Sequence, residues 1–193
     1  MSKLIVFEGN DRVGKTTLSL QLAKRLSSVS VKVFSSPGKE REGSLGQFVY
    51  ALQDGQISII DEKIPSISLQ LLHVASHICN FENAIIPWLN NGDIAILDRW
   101  WWSTIAYGTA SGIDKKILFS IIQPEITLIE STIESAVIIY LTRDFDSGHS
   151  KEYDRLLLSE YDELVEKSKY PVIRVKNNGQ ETDIVIDEII QKL

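Results

Sequence analysis

Gly9-Asn10-Asp11-Arg12-Val13-Gly14-Lys15-Thr16-Thr17 carries the residue types that hold a chain of phosphates. Glycines at 9 and 14 let the backbone curl so that successive N–H groups point at phosphate oxygens. Lys15 can reach the outer phosphates of a nucleoside triphosphate, and the Thr16 hydroxyl can ligate Mg²⁺. An apolar run, Leu4-Ile5-Val6-Phe7, precedes the motif, and a helical pattern through Leu18, Leu22 and Leu26 follows it. Strand, glycine loop and helix N-terminus in that order are the context a P-loop requires, because the helix end adds partial positive charge.

Asp98-Arg99 is the second constellation. It ends another apolar run, Ile94-Ala95-Ile96-Leu97, where a carboxylate is costly unless it has a use. Asp98 is either a Mg²⁺ ligand, direct or through water, or the N-cap of a following helix. Arg99 can clamp a phosphate bidentately or form a surface ion pair. Arg12, inside the loop, can reach a transferring phosphoryl group and stabilise its charge, or lie in solvent. Arg41 sits in the charged run Lys39-Glu40-Arg41-Glu42 after Pro37 and reads equally as a phosphate ligand or a solvated turn.

Trp100-Trp101-Trp102 can wall a base pocket, pack the core or form a subunit face, with at least one of the three expected to be packing. His73 and His77 lie four apart on one helical face. No third metal ligand accompanies them, which excludes zinc; they present polar groups to a ligand or are ordinary core or surface histidines.

The elements that position these residues alternate. Strands are expected at 3–8, 31–34, 94–97, 136–141 and 172–175, and most are continuous apolar runs. Helices are expected at 14–28, around 45–52, from Pro65 to about residue 91 with a kink or break at Pro87, and at 103–123 with a break at 108–112. Two more follow at 152–169 and 184–190. This is an α/β chain: a parallel sheet of about five strands with helices on both faces, the P-loop nucleoside-triphosphatase architecture. Ligands of such sheets bind outside the carboxyl ends of the strands, and the P-loop, 37–41 and Asp98-Arg99 all fall at that edge. No repeat or linker divides the 193 residues, so one domain spanning 1–193 is expected.

A net charge of −6 leaves no basic face for nucleic acid or an anionic membrane. The single cysteine, Cys79, excludes an intramolecular disulfide and fits a reducing compartment. The first strand begins at once, leaving no room for a signal peptide, and no apolar run is long enough to cross a bilayer. A cytoplasmic protein with small-molecule partners is expected.

With these residues assembled, the chain resembles the thymidylate kinases over most of its length. Phe7-Glu8-Gly9-x-Asp11-x-x-Gly14-Lys15-Thr16-Thr17 is close to that family's P-loop, Asp98-Arg99 matches its Asp-Arg-Tyr/His motif, and Ser103, Ala106 and Tyr107 continue its pattern. The resemblance implies transfer of the γ-phosphoryl group of ATP to dTMP. Gly9 to Thr17 would hold ATP, with Lys15 and the backbone amides on its phosphates and Mg²⁺ near Thr16 and Asp98. Asp11 would bind the acceptor's 3′-hydroxyl. Arg99 and Arg41 would hold its monophosphate, with Pro37 and Ser103 beside it, and Tyr107 would exclude a 2′-hydroxyl. Arg12 matches the subtype that carries its catalytic arginine in the P-loop and lacks one in the lid. The lid expected at about 143–153 is short, and Arg143 is placed to pack on the adenine. A homodimer is the family's usual state.

The chain departs from the family at three places. The thymine-stacking aromatic falls at His73, the arginine that donates to thymine O4 falls at His77, and the lead into the fourth strand, 123–135, is longer than usual. The histidines keep two other readings open. One is a kinase for another deoxynucleotide or a modified pyrimidine nucleotide. The other is a nucleotide-binding switch without turnover.

Overall fold

A computed structural model describes residues 4–26, 30–35, 38, 42–57, 64–133, 135–144 and 151–193. Pro37, Arg41 and most of the expected lid lie outside the described residues.

Five strands form one sheet: β1 (Leu4–Glu8), β2 (Val31–Ser35), β3 (Ile94–Asp98), β4 (Ala136–Thr142) and β5 (Val172–Lys176). Their order is β2-β3-β1-β4-β5 and every neighbouring pair is parallel. The helices are α1 (Lys15–Arg25), α2 (Leu45–Gln53), α3 (Ser66–Asn80), α4 (Ile86–Asn90), α5 (Trp101–Ala110), α6 (Lys115–Glu130), α7 (Lys151–Glu166) and α8 (Thr182–Lys192). This is the expected parallel sheet with helices on both faces.

Alternation along the strands builds two cores. Leu4, Val6, Ile138 and Tyr140 face one side, where Trp102, Ile122 and Tyr161 from α5, α6 and α7 cover them. Ile5, Phe7, Ile96 and Ile139 face the other, against Leu18 and Leu22 of α1 and Ile186 and Ile189 of α8. Each fully buried aliphatic side chain contributes about 1.5–3 kcal/mol, so the two layers fix the strand ends firmly. Those ends carry the site. Phe7 of β1 and Ser35 of β2 both register with Asp98 of β3, and Glu8 with Tyr140 of β4.

Three elements differ from the sequence expectation. The long helix from Pro65 runs to Asn90 without a gap, but its irregularity lies ahead of Pro87 rather than at it. α3 ends at Asn80, a π-helical turn spans Phe81–Ile85, and α4 starts at Ile86. Pro87 has no N–H and its ring crowds the carbonyl one turn earlier, so the widening falls in the turn before it. The segment 123–135 is helix for more than half its length: α6 runs through Pro124 to Glu130. Leu118, Ile122, Glu125 and Ile129 form its buried face, and that apolar spacing outweighs an interior proline cost of about 3 kcal/mol. The first helix is also shorter than 14–28, beginning at Lys15 because Gly14 is its left-handed N-cap. The break between the helices of the 103–123 stretch falls where expected, between Ala110 and Lys115. Among the described residues no helix is long and apolar enough to cross a membrane.

Candidate active site

The loop from β1 to α1 is shaped by backbone requirements that few residues meet. Gly9 has φ 135°, and a Cβ there would lie 2.2 Å from the Leu141 carbonyl oxygen. Gly14 has φ 93° and caps α1 without any side-chain hydrogen bond to its first turn. The first N–H groups of α1 therefore remain for a ligand, with no acidic residue in that turn to compete. A Gly9→Ala variant is expected to lose about 3 kcal/mol or more, a fall in Tm of roughly 10 °C, since the clash is with backbone. Thermal denaturation by circular dichroism measures it, and an unchanged Tm would contradict the geometry.

Lys15 closes the loop over itself. Its Nζ donates to the carbonyls of Gly9, at 3.0 Å, and Asn10, at 2.5 Å. Burial, and secondarily the Arg99 charge, lower its pKa from 10.5 to about 7. A depressed folded pKa means that the stability linked to Lys15 is present above pH 10.5 and is lost as the pH falls through about 7. Triphosphate oxygens reverse the balance by favouring the ammonium. ATP binding near pH ~8.5 is therefore expected to take up about half to one proton per site, and the Lys15→Met variant to take up none. Calorimetry in buffers of different ionisation enthalpy reads this directly; equal heats in all buffers would contradict it.

Thr16, on the first turn of α1, donates its hydroxyl to Asp98 Oδ2 at 2.5 Å. Asp98 is not a helix cap; Trp100 caps α5. Among the described residues no cluster of three or more His, Cys, Asp or Glu could enclose a metal. A hydroxyl and one carboxylate at a loop built for phosphate fit Mg²⁺, which accepts hard oxygens and keeps its other positions for phosphate and water.

Arg99 follows β3 in the left-handed region, φ 79°, and Arg12 shares that rare conformation at φ 63°. Residues other than glycine adopt it at a cost of about 1–2 kcal/mol, and such strain is held where surrounding contacts over-determine it. Those contacts are visible for Arg99. Its Nη1 donates to the Gly9 carbonyl at 3.2 Å and to Ser103 Oγ at 2.9 Å. Its Nη2 pairs with Asp11 and donates to the Tyr107 hydroxyl at 3.3 Å. Burial would lower its pKa, but Tyr161, Tyr107, Asp11 and Glu8 outweigh that and hold it above its ordinary value.

Beneath Arg99 lies Glu8, fully buried at the end of β1. Its Oε1 accepts from the Trp100 N–H at 2.8 Å, and its Oε2 from the Ser103 hydroxyl at 2.7 Å and the Tyr161 hydroxyl at 3.3 Å. Burial pushes its carboxyl above the usual range, against the pull of Arg99 and these donors. Glu8 ends an apolar strand just as Asp98 does, so the signal was present in the sequence. Asn177, from the far end of β5, donates to the Val13 carbonyl at 2.8 Å and had no such signal.

Two cavities open at this edge. One, of about 260 Å³, is lined by Arg12, Gly14, Lys15, Thr16, Thr17 and Asp98 among others. The second, of about 280 Å³, is lined by His73, His77, Trp100, Ser103 and Tyr107. Asp11, Tyr50 and Arg99 line both, so the cavities share one wall. Gly9, Asn10 and Val13 line neither: the first two supply carbonyls to Lys15, and Val13 packs into the core. Arg143 is exposed after β4 and lines neither cavity. Of the three tryptophans only Trp100 reaches the second cavity; Trp102 is core packing. His73 Nε2 lies 2.7 Å from Gln53 Oε1, and its ring meets Tyr50 edge-on, with centroids 5.6 Å apart. Burial, then the neighbouring His77, lower the His73 pKa to about 4. Tyr50 and Gln53 come from α2 and were not anticipated.

A P-loop with an unshared helix N-terminus, a hydroxyl–carboxylate pair beside it and a second cavity sharing its wall are the parts of an ATP-dependent nucleoside monophosphate kinase. The chain belongs to the thymidylate kinase family, whose sequence model matches residues 7–185. It is similar to the thymidylate kinase of Brachyspira hyodysenteriae, 27% identical with 99% of this chain and 93% of that one covered. The thymidylate kinase of Anaplasma marginale is 31% identical over 79% of this chain and 75% of its own. The crystal structure of thymidylate kinase from Ehrlichia chaffeensis superposes with a TM-score of 0.76 at 25% identity, covering 99% of this chain and 97% of that one.

Proposed function

We propose that this enzyme phosphorylates dTMP with ATP and carries its catalytic arginine, Arg12, in the P-loop. The observation that carries this reading is the wall common to the two cavities. Asp11, Arg99 and Tyr50 touch both, so a donor in one and an acceptor in the other meet across a single side-chain layer.

ATP phosphates rest on Lys15, Thr17 and the free N–H groups of α1. Thr16 and Asp98 would hold Mg²⁺, which would supply charge neutralisation on the phosphate oxygens. Arg99 turns from Asp11 toward the acceptor monophosphate. Asp11 is mostly exposed, so its ion pair with Arg99 is worth less than a dianionic phosphate in the same place. Arg12, held in its left-handed conformation, contributes charge at the transferring group. Asp11 binds the 3′-hydroxyl, and Tyr107, stacked 5.1 Å beneath the Arg99 guanidinium, fills the space of a 2′-hydroxyl. The acceptor phosphate is already ionised, so positioning and charge neutralisation suffice without a general base. The single cysteine supports a cytoplasmic setting, and exposed Phe48, Ile67 and Leu71 on α2 and α3 support a homodimer.

The test is ADP release with Mg-ATP against dTMP, dUMP, dCMP, dGMP, dAMP and their ribose forms. Strong preference for dTMP is expected. Preference for another deoxynucleotide would reassign the base pocket, and the absence of acceptor-dependent turnover would remove the kinase reading.

A further inference from the structure

Of the run Trp100-Trp101-Trp102, the site at the strand ends uses only the first residue. Trp101 and Trp102 line a third cavity, of about 300 Å³, between α5, α6, α7 and the turn that leads into β5. It shares no lining residue with the two cavities described above. Its volume falls at the lower end of the range for small-molecule sites, about 300–1,000 Å³.

The walls are apolar and largely aromatic: Trp101, Trp102, Phe119 and Tyr170, with Ile105 and Leu164. Trp102 and Leu164 belong to the core, whereas Phe119 is exposed. The rim is charged but neutralises itself. Lys115 pairs with Glu160 at 2.7 Å and with Glu163 at 2.6 Å. Lys167 pairs with Glu163 at 2.7 Å, and Lys169 pairs with Glu130. Every charged residue that lines the cavity is thus matched, and none is left to hold an ionic occupant. One polar group in the wall is unmatched. Trp101 Nε1 is buried and has no hydrogen-bond partner, although a buried indole N–H ordinarily has one.

We propose that this cavity is a second ligand site, which takes an uncharged, planar bicyclic heteroaromatic molecule whose acceptor atom receives the Trp101 Nε1–H. The aromatic walls set the shape, since edge-on and offset ring contacts attract beyond the area they bury. The closed ion pairs set the charge, because an ionic occupant would lose its hydration without gaining a partner. The indole N–H sets the polarity of the heteroatom. Its neighbours shield it, and a turn about the soft terminal torsion of the side chain presents it to the occupant. The site stands whatever the acceptor nucleotide is, because the active-site residues take no part in it.

The experiment titrates quinoline, indole and 1-methylquinolinium into the protein at neutral pH, followed by NMR. Quinoline offers an acceptor, indole only a donor, and 1-methylquinolinium a charge and no acceptor. Quinoline is expected to saturate with a Kd of about 1 mM or below, at least about fivefold tighter than indole and about tenfold tighter than the cation. Nuclear Overhauser contacts from quinoline are expected to reach Trp101 and Tyr170. In Trp101→Phe the quinoline-over-indole ratio is expected to fall to about one, while the space that the smaller ring opens affects both probes alike. Ile126→Trp, which fills the cavity from α6, is expected to abolish saturation. The inference is overturned by the absence of saturable quinoline binding up to about 10 mM, by a ratio unchanged in Trp101→Phe, or by contacts confined to the other two cavities. It is equally overturned if 1-methylquinolinium binds as tightly as quinoline. If neither variant folds, quinoline binding no tighter than indole in the wild type overturns it instead.

Discussion

Arg12→Ala is expected to lower kcat about a thousandfold while changing the Kd for dTMP less than about threefold. Arg12 lines the cavity that holds Lys15 and Thr16, next to the wall shared with the second cavity. Its backbone is left-handed, φ 63°, a conformation that costs energy and belongs to the loop itself rather than to the lid. A cation so placed acts on charge that develops on the transferring group, and such arginines are worth about 10³–10⁵ in rate. In the proposed reading acceptor binding draws on Arg99, Asp11 and Tyr107 instead. Steady-state kinetics together with calorimetry separates the two effects. A loss in kcat under about tenfold, or a loss confined to acceptor affinity, would show that Arg12 is not the catalytic arginine.

The second large effect is on stability. Glu8→Leu is expected to cost about 3–5 kcal/mol, because it strands several donors at once in a fully buried place. The Trp100 N–H, the Ser103 hydroxyl and the Tyr161 hydroxyl lose their acceptor, and Arg99 loses the carboxylate beneath it. Glu8→Gln keeps one oxygen for the Trp100 N–H, and the hydroxyls of Ser103 and Tyr161 can turn to accept from its amide. It should cost less than half as much. Urea denaturation of the three proteins gives the values. Equal stability of Glu8→Leu and wild type would mean that the buried carboxylate does not organise the end of β3. Because Ser103 and Arg99 also line the second cavity, kcat/KM for dTMP is expected to fall in both variants.

The sheet and its edge were legible because buried parallel strands are apolar runs, and the residues that end them stand out. Asp98 and Arg99 were found that way. Glu8 satisfies the same rule, but it abuts the glycine motif, whose stronger signal masks it. The P-loop was legible from residue types alone, since φ values such as those of Gly9 and Gly14 exclude most side chains. Boundaries were harder. Pro87 pointed to a kink but not to a π-helical turn ahead of it. The helix expected to end at 123 runs on through Pro124, because four buried positions on one face of α6 outweigh the proline. Partners that meet only in three dimensions had no local mark: Tyr50 and Gln53 reach His73 from another helix, and Glu125 reaches His77 across 48 residues of chain. The histidines themselves were visible, but their surroundings decide what they offer a ligand.

The most direct test follows the phosphorus atom. ATP labelled at the γ-phosphorus is mixed with enzyme, Mg²⁺ and dTMP, and the nucleotides are separated. The label is expected to appear in the β-phosphate of dTDP, one for each ADP formed, with little release of inorganic phosphate when dTMP is left out. Label recovered only as inorganic phosphate, at a rate indifferent to dTMP, would mean that the second cavity does not receive the acceptor.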